Sequence, residues 1–189
     1  MKNKILIITF FLSSFYSFAA EYYVAPNGND ANVGSKDKPV ETVKRAQELA
    51  NTGDTVYIRG GLYSMREDQI ANYQRAYAYV TQLDKNGISY LAFPNETPVF
   101  DYKNVKPANK RIVAFLVKGD NIHVKGIEVT GVQVTIKGHT QSECFEVLGS
   151  HNILENLKMH DGMAIGIYML SGSNNLILNC DAYNNWDSV

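Results

Sequence analysis

The chain has 189 residues, 45% of them hydrophobic and 20% charged, with 18 Lys and Arg against 19 Asp and Glu. A formal charge of −1 excludes the broad basic surface of a protein that coats nucleic acid. The length suits one domain with a full hydrophobic core.

The N-terminus reads as a targeting segment. Lys2 and Lys4 precede an apolar run of 14 residues, Ile5–Phe18, and small residues follow at Ser17, Ala19 and Ala20. This is the pattern of a secretory signal peptide spanning residues 1–19, cleaved after Ala19. The run falls short of the ~20 residues a spanning helix needs. The mature chain, 20–189, is expected outside the cytoplasm, secreted or periplasmic, with no membrane contact after cleavage. Losing Lys2 and Lys4 leaves 16 basic and 19 acidic residues, a formal charge of −3. A locally placed cation still lets such a protein bind an acidic sugar.

Residues 20–63 read as a cap. Glu21–Pro26 is a strand, and a turn-rich loop runs from Asn27 to Gly34. Pro39 is expected to open a helix whose apolar positions Val43, Ala46 and Leu49 recur at helical spacing. Thr55–Arg59 is a strand ended by Gly60–Gly61. A short amphipathic helix ahead of stacked strands would plug an end that otherwise exposes apolar interior. Residues 64–84 lack a period; Tyr73, Tyr77 and Tyr79 stand among Gln, Arg and Ala. They read as an excursion, or a short helix, outside the regular structure.

From residue 85 onward the chain repeats itself. Val124–Val129, Leu154–Met159 and Ile177–Ala182 superimpose without gaps, at offsets of 30 (Gly126 to Asn156) and 23 (Asn156 to Asn179). Each copy alternates apolar and polar residues, with Gly or Asn at a bend. Returns at 20–30 residues mean one small unit stacked on the next. The fold expected is all-β, a right-handed parallel β-helix with rungs over 85–189. A second face aligns Phe145–Ser150 with Tyr168–Ser173 at offset 23. Stacked strands lie about 4.8 Å apart. Asn156 and Asn179 are therefore expected to bond along a column that Gly126 begins. Glu128, Lys158 and Asp181 form an outward column of alternating charge, and Lys125 and Glu155 a second pair.

Cys144 and Cys180 occupy non-equivalent positions in this register and read as two free, buried thiols rather than a disulfide. The end of the chain concentrates polar groups. Asn184, Asn185, Trp186 and Asp187 are candidate substrate-binding residues, since Trp186 could stack on a sugar ring. Asp187, with no register partner to neutralise it, is the candidate metal ligand, because calcium takes carboxylate and amide oxygens. The plain alternative makes Asn184–Asn185 a turn and Trp186 a cover for Met163. His160–Asp161–Gly162 reads as a turn more readily than a catalytic pair. No Gly-rich phosphate loop or nucleophile elbow is present.

Three segments carry a family likeness. Tyr22–Gly28, Lys38–Pro39 and Gly53–Tyr63 resemble the N-terminal cap of secreted bacterial β-helix proteins. Gly166–Tyr168, Ser171–Asn175 and Asn179–Asn185 resemble polysaccharide lyase family nine, the pectate lyases and their relatives. The resemblance implies calcium-dependent β-elimination of an acidic, plant-type pectic polysaccharide, with lysine as base and the protein a monomer. A free lysine, of pKa about 10.4, needs a nearby cation to act near neutrality. The Asp-bearing segments that hold calcium in that family, and its base lysine, have no match here. The chain is therefore expected to be truncated at its C-terminus, with catalytic residues beyond residue 189 and no activity of its own. A non-catalytic polysaccharide-binding module and a β-helix glycoside hydrolase remain alternatives on the same fold.

Overall fold

A computed structural model describes residues 19–138 and 140–187. Apart from Ala19, the expected leader lies outside them. Among them no helix is long and apolar enough to cross a membrane. In chain order the elements are β1 (Glu21–Val24), α1 (Val43–Leu49), β2 (Thr55–Ile58), β3 (Gly61–Ser64), a 3-10 turn (Glu67–Gln69), β4 (Asn72–Gln74) and β5 (Tyr77–Leu83). Then come β6 (Ser89–Ala92), β7 (Pro98–Asp101), β8 (Arg111–Val117), β9 (His123–Lys125), β10 (Glu128–Thr130) and β11 (Ser142–Val147). The last are β12 (Ile153–Glu155), β13 (Lys158–His160), β14 (Ala164–Met169), β15 (Leu176–Leu178) and β16 (Asp181–Tyr183).

These strands form three sheets that run the length of a right-handed parallel β-helix. The first sheet is β1-β2-β6-β9-β12-β15, the second β3-β7-β10-β13-β16 and the third β4-β5-β8-β11-β14. All neighbours are parallel except the β4–β5 hairpin. One inward column of the first sheet is Val56, Tyr90, Val124, Leu154 and Ile177. Aromatic rings fill the middle. Tyr63 stacks on Phe100 at 4.5 Å and Phe115 on Phe145 at 5.1 Å.

Left-handed residues make the sharp bend from the first sheet to the second. Gly126, Asn156 and Asn179 have φ of 75°, 54° and 53°. Gly and Asn tolerate that region, whereas most side chains do not. The three stand in one file. The Gly126 amide donates to Glu155 O, the Asn156 amide to Leu178 O, and Asn179 Nδ2 to Asn156 Oδ1 at 2.7 Å. A second asparagine ladder, hidden in the sequence, closes the turn between the third and first sheets. Asn152 is fully buried; its Oδ1 accepts from Ile122 N at 2.7 Å and its Nδ2 donates to Gly119 O at 3.0 Å. Asn175 repeats this one rung on, accepting from Asn152 N and donating to Gly149 O.

Three expectations are corrected. The helix begins at Val43, not Pro39, because Val40 is drawn into a bridge with Val24 and Thr42 caps the helix by accepting from Arg45 N. Asp30 fixes that start by accepting from the Glu41 and Thr42 amides. The cap is stitched to the rungs by buried Gln47, which donates to Gln82 O and accepts from Asp84 N and the Tyr90 hydroxyl. Second, the excursion ends at Ala76. Tyr77–Leu83 is β5, a full rung strand with Ala78, Val80 and Leu83 in the core. Third, β11 pairs with β14 at an offset of 22, Phe145 facing Ile167, one residue from the sequence alignment. The turn after Met169 absorbs the difference, since Asn152 and Asn175 again stand 23 apart. Both cysteines are free, Cys144 buried and Cys180 half-buried.

Candidate functional site

The third sheet carries the most unusual chemistry. Its strands break alternation at one level, where Ala114–Phe115 and Cys144–Phe145 both enter the core. The outward files are Tyr79–Val113–Glu143–Ile165 and Gln82–Leu116–Glu146–Tyr168. Two glutamates thus lie side by side on a face that is otherwise apolar and aromatic. Glu143 is 1% exposed and Glu146 3%. Arg111 is the hub below them. Its Nη2 donates to Glu143 Oε1 at 3.0 Å, its Nη1 to the Tyr77 hydroxyl at 2.6 Å, and its Nε to the Gln141 carbonyl. The guanidinium lies 4.8 Å over the Tyr77 ring. Loop 131–141 is tied to the same point, because Val134 bridges Arg111 and Thr135 pairs with Lys110.

Burial disfavours charge on Glu143, and the neighbouring Glu146 adds a hydrogen bond and repulsion. Together they push its carboxyl up to about 8, against the pull of Arg111. Glu143 Oε2 is buried without a hydrogen-bond partner among the described residues. Burial also raises Tyr79, to about 12. Perturbed groups of this kind concentrate at working sites. Through Arg111, Glu143 is tied to the Gln141 carbonyl and so to the loop beside the face. The pair was not foreseen; its one sequence signal is two glutamates three apart flanking Cys144–Phe145 in the strand Ser142–Val147.

The outer face of the second sheet is wetter. The register Glu128–Lys158–Asp181 is as expected, but its ion pairs do not form. Glu128 Oε1 instead meets His160 Nε2 at 3.1 Å, and His160 Nδ1 meets Asp161 Oδ2 at 2.7 Å. The imidazole stacks on Tyr183 at 4.7 Å and 7°. The Lys125–Glu155 pair does form, at 2.8 Å, and His123 joins it at 2.9 Å. Hydrogen bonds from Lys125 and His123 hold Glu155 below the usual carboxylate range, outweighing its desolvation.

The residues singled out at 184–187 lie together after β16. Asn185 is committed to the fold: Oδ1 accepts from Gly162 N at 3.1 Å and Nδ2 donates to Met159 O at 3.0 Å. Asn184, at φ 52°, Trp186 and Asp187 are exposed. Trp186 N donates to Gly162 O. Among the described residues no group of three or more His, Cys, Asp or Glu could hold a metal ion. Asp187 offers one carboxylate, where calcium takes 6–8 oxygens.

Stacked three-sheet rungs with asparagine-bearing bends define the class, a right-handed parallel β-helix with a helical cap. Residues 22–189 match the family model described as Pel9A-like, right handed beta helix region, and the chain belongs to that family. It is 31% identical over 185 residues to pectate lyase L of Dickeya dadantii (strain 3937), covering 93% of this chain and 40% of that protein. Among solved structures it resembles a rhamnogalacturonan lyase at 48% identity and a TM-score of 0.86, over 90% of this chain and 43% of that one. It also resembles pectate lyase Pel9A at 30% identity and a TM-score of 0.69, over 90% and 41%. The chain thus spans about 40% of the length of these relatives.

Proposed function

We propose that this chain forms the cap and first rungs of a secreted, monomeric, calcium-dependent polysaccharide lyase that cleaves a pectic polymer by β-elimination. One observation carries the reading: the likeness to a rhamnogalacturonan lyase at 48% identity over 90% of the chain. The pectate lyases stand lower, at 30–31%. We therefore favour an alternating uronate-containing backbone of the rhamnogalacturonan type over plain polygalacturonate.

In β-elimination a base removes the proton at C5 of a uronate, the oxygen linked at C4 leaves, and a C4–C5 double bond forms. Calcium, when bound, would neutralise the uronate carboxylate and acidify that proton. No described residue is assigned as the base. Asp187 would supply at most one metal ligand, with Asn184 and Trp186 beside it against substrate. Asn185 would position that edge through its two backbone bonds. The buried Arg111–Glu143–Glu146 cluster would keep the third sheet rigid beneath a bound polymer.

The test uses the whole protein that carries this chain, given calcium and either rhamnogalacturonan or polygalacturonate. Elimination produces an unsaturated uronate that absorbs in the ultraviolet, hydrolysis gives new ends without it, and a binding module gives neither. The proposal expects the chromophore, faster from rhamnogalacturonan, and none from the 189-residue chain alone. Binding without a chromophore overturns it.

A further inference from the structure

One bend of the solenoid differs from the rest. The first sheet passes to the second through two residues at Arg59–Gly60, Gly126–Ile127, Asn156–Leu157 and Asn179–Cys180. Between β6 and β7 it takes five, Phe93–Thr97. The longer bend overhangs the rung above and encloses a groove of about 350 Å³. Phe93 and Asn95 form one wall, Lys125 and Gly126 the floor, and Asn156 and Lys158 the far side. The groove exists because Gly126 interrupts the asparagine file. A Cβ there would come within 2.9 Å of Ala92 Cβ, and the backbone, at φ 75°, disfavours most side chains.

Of the four charged residues lining the groove, Glu96, Lys125, Glu128 and Lys158, the first three are already engaged. Glu96 is held by Arg59 in a two-pronged pair at 2.8–3.1 Å and by Gly60 N at 2.6 Å. Those hydrogen bonds keep it below the usual carboxylate range despite some desolvation. Glu128 is engaged by His160, and Glu155 by Lys125 and His123. Lys158, exposed and in register with Glu128 and Asp181, makes no ion pair among the described residues. Nor does Lys36, whose ammonium lies 5.2 Å over the Phe93 ring. The Asn95 amide makes no hydrogen bond there either, and Asn156 Nδ2 has only a long contact, 3.4 Å, to Glu155. The groove therefore offers a free ammonium group, two amides with unused capacity and an aromatic edge. Two small-ligand features converge in it, concave shape and a few placed polar groups.

We propose that this groove is a binding site for an acidic oligosaccharide, set on the bend between the first and second sheets. A uronate carboxylate meets Lys158, hydroxyls meet Asn95 and Asn156, and the overhang holds the sugar against the rung. Such a site would anchor a polymer along the flank of the solenoid, away from the third sheet. The choice of a uronate rests on the pectic reading above; the groove with its unengaged Lys158 ammonium does not.

The test is an NMR titration of the isotopically labelled full chain with trigalacturonate in EDTA, with neutral galactotriose as the control. Amide shifts are expected within Phe93–Thr97 and at Gly126, Asn156 and Lys158. Lys158→Gln should weaken binding roughly five- to tenfold, as loss of a charge-assisted bond does, while Lys118→Gln on another turn leaves it unchanged. Lys158 is exposed, so amide dispersion of the variant should match that of the parent. No shifts at millimolar trigalacturonate, equal binding of galactotriose, or indifference to Lys158→Gln overturns the site. A whole protein that makes no chromophore yet binds trigalacturonate through Lys158 would overturn the lyase reading alone.

Discussion

The middle rungs and the last described rung use the same residues to different effect. Val124, Leu154 and Ile177 occupy one inward column, but the first two are fully buried and Ile177 is 47% exposed. Leu176, Leu178 and Tyr183 around it are similarly open. An inward position in a β-helix is therefore not buried by its own rung. The next rung supplies the cover, and stability is a sum of neighbour contacts. The inner asparagine ladder shows the same dependence. Asn152 is wholly enclosed between rungs, whereas Asn175, its equivalent on the last described rung, is half-buried.

The sharpest test of this contrast is a pair of truncations. Leu154→Ala should cost about 2–5 kcal/mol, the transfer term plus a closed cavity. Ile177→Ala should cost less than about 1 kcal/mol, read by denaturant midpoints. Equal costs would break the comparison. The asparagine ladders come next. Asn152→Ala strands the Ile122 amide and the Gly119 carbonyl in the core and should cost about 2 kcal/mol. Asn156→Ala loses an exposed bond and strains a left-handed residue, at about 1 kcal/mol.

A pH-dependent effect sharpens the contrast between the dry third sheet and the wet second one. Folded Glu143 keeps its proton up to about pH 8, whereas the unfolded chain releases it in the usual carboxylate range. Between those limits the native state binds more protons, so stability falls as pH rises through the window. Glu143→Gln should remove that decline, at most about 1.4 kcal/mol per pH unit, seen by comparing melts at pH 6 and pH 8. Smallest of all, Lys158→Gln, at an exposed site without an ion pair, should shift stability by less than about 0.5 kcal/mol.

Much of the first two sheets was legible in the sequence, for a physical reason. Two-residue bends keep each first-sheet strand in step with the second-sheet strand after it, so Gly126, Asn156 and Asn179 aligned, and with them Glu128, Lys158 and Asp181. The third sheet was not legible. Its outer face is as dry as its inner one at Val113 and Leu116, which erases the alternation that marks a strand. Ala114–Phe115 and Cys144–Phe145 then shift the phase. The Arg111–Glu143 cluster also draws on separate strands, and no local spacing announces it. At the end of the chain Asn184–Asp187 was read as a binding segment, with a turn at Asn184–Asn185 as the plain alternative; the structure adds that Asn185 is a ladder rung, bonded to Gly162 N and Met159 O. Asn152 with Asn175, stacked at the same offset of 23 as the Asn156–Asn179 pair that the sequence did reveal, was the missed clue.

Native-state hydrogen exchange tests the stacking claim most directly. Amides of β8, β11 and β12, each bonded to rungs on both sides, should exchange only through global unfolding. Those of β15 and β16 should exchange through local opening, at least about tenfold faster. Uniform protection across all rungs, or slowest exchange in β15 and β16, would contradict neighbour-supplied burial and the stacked architecture built on it.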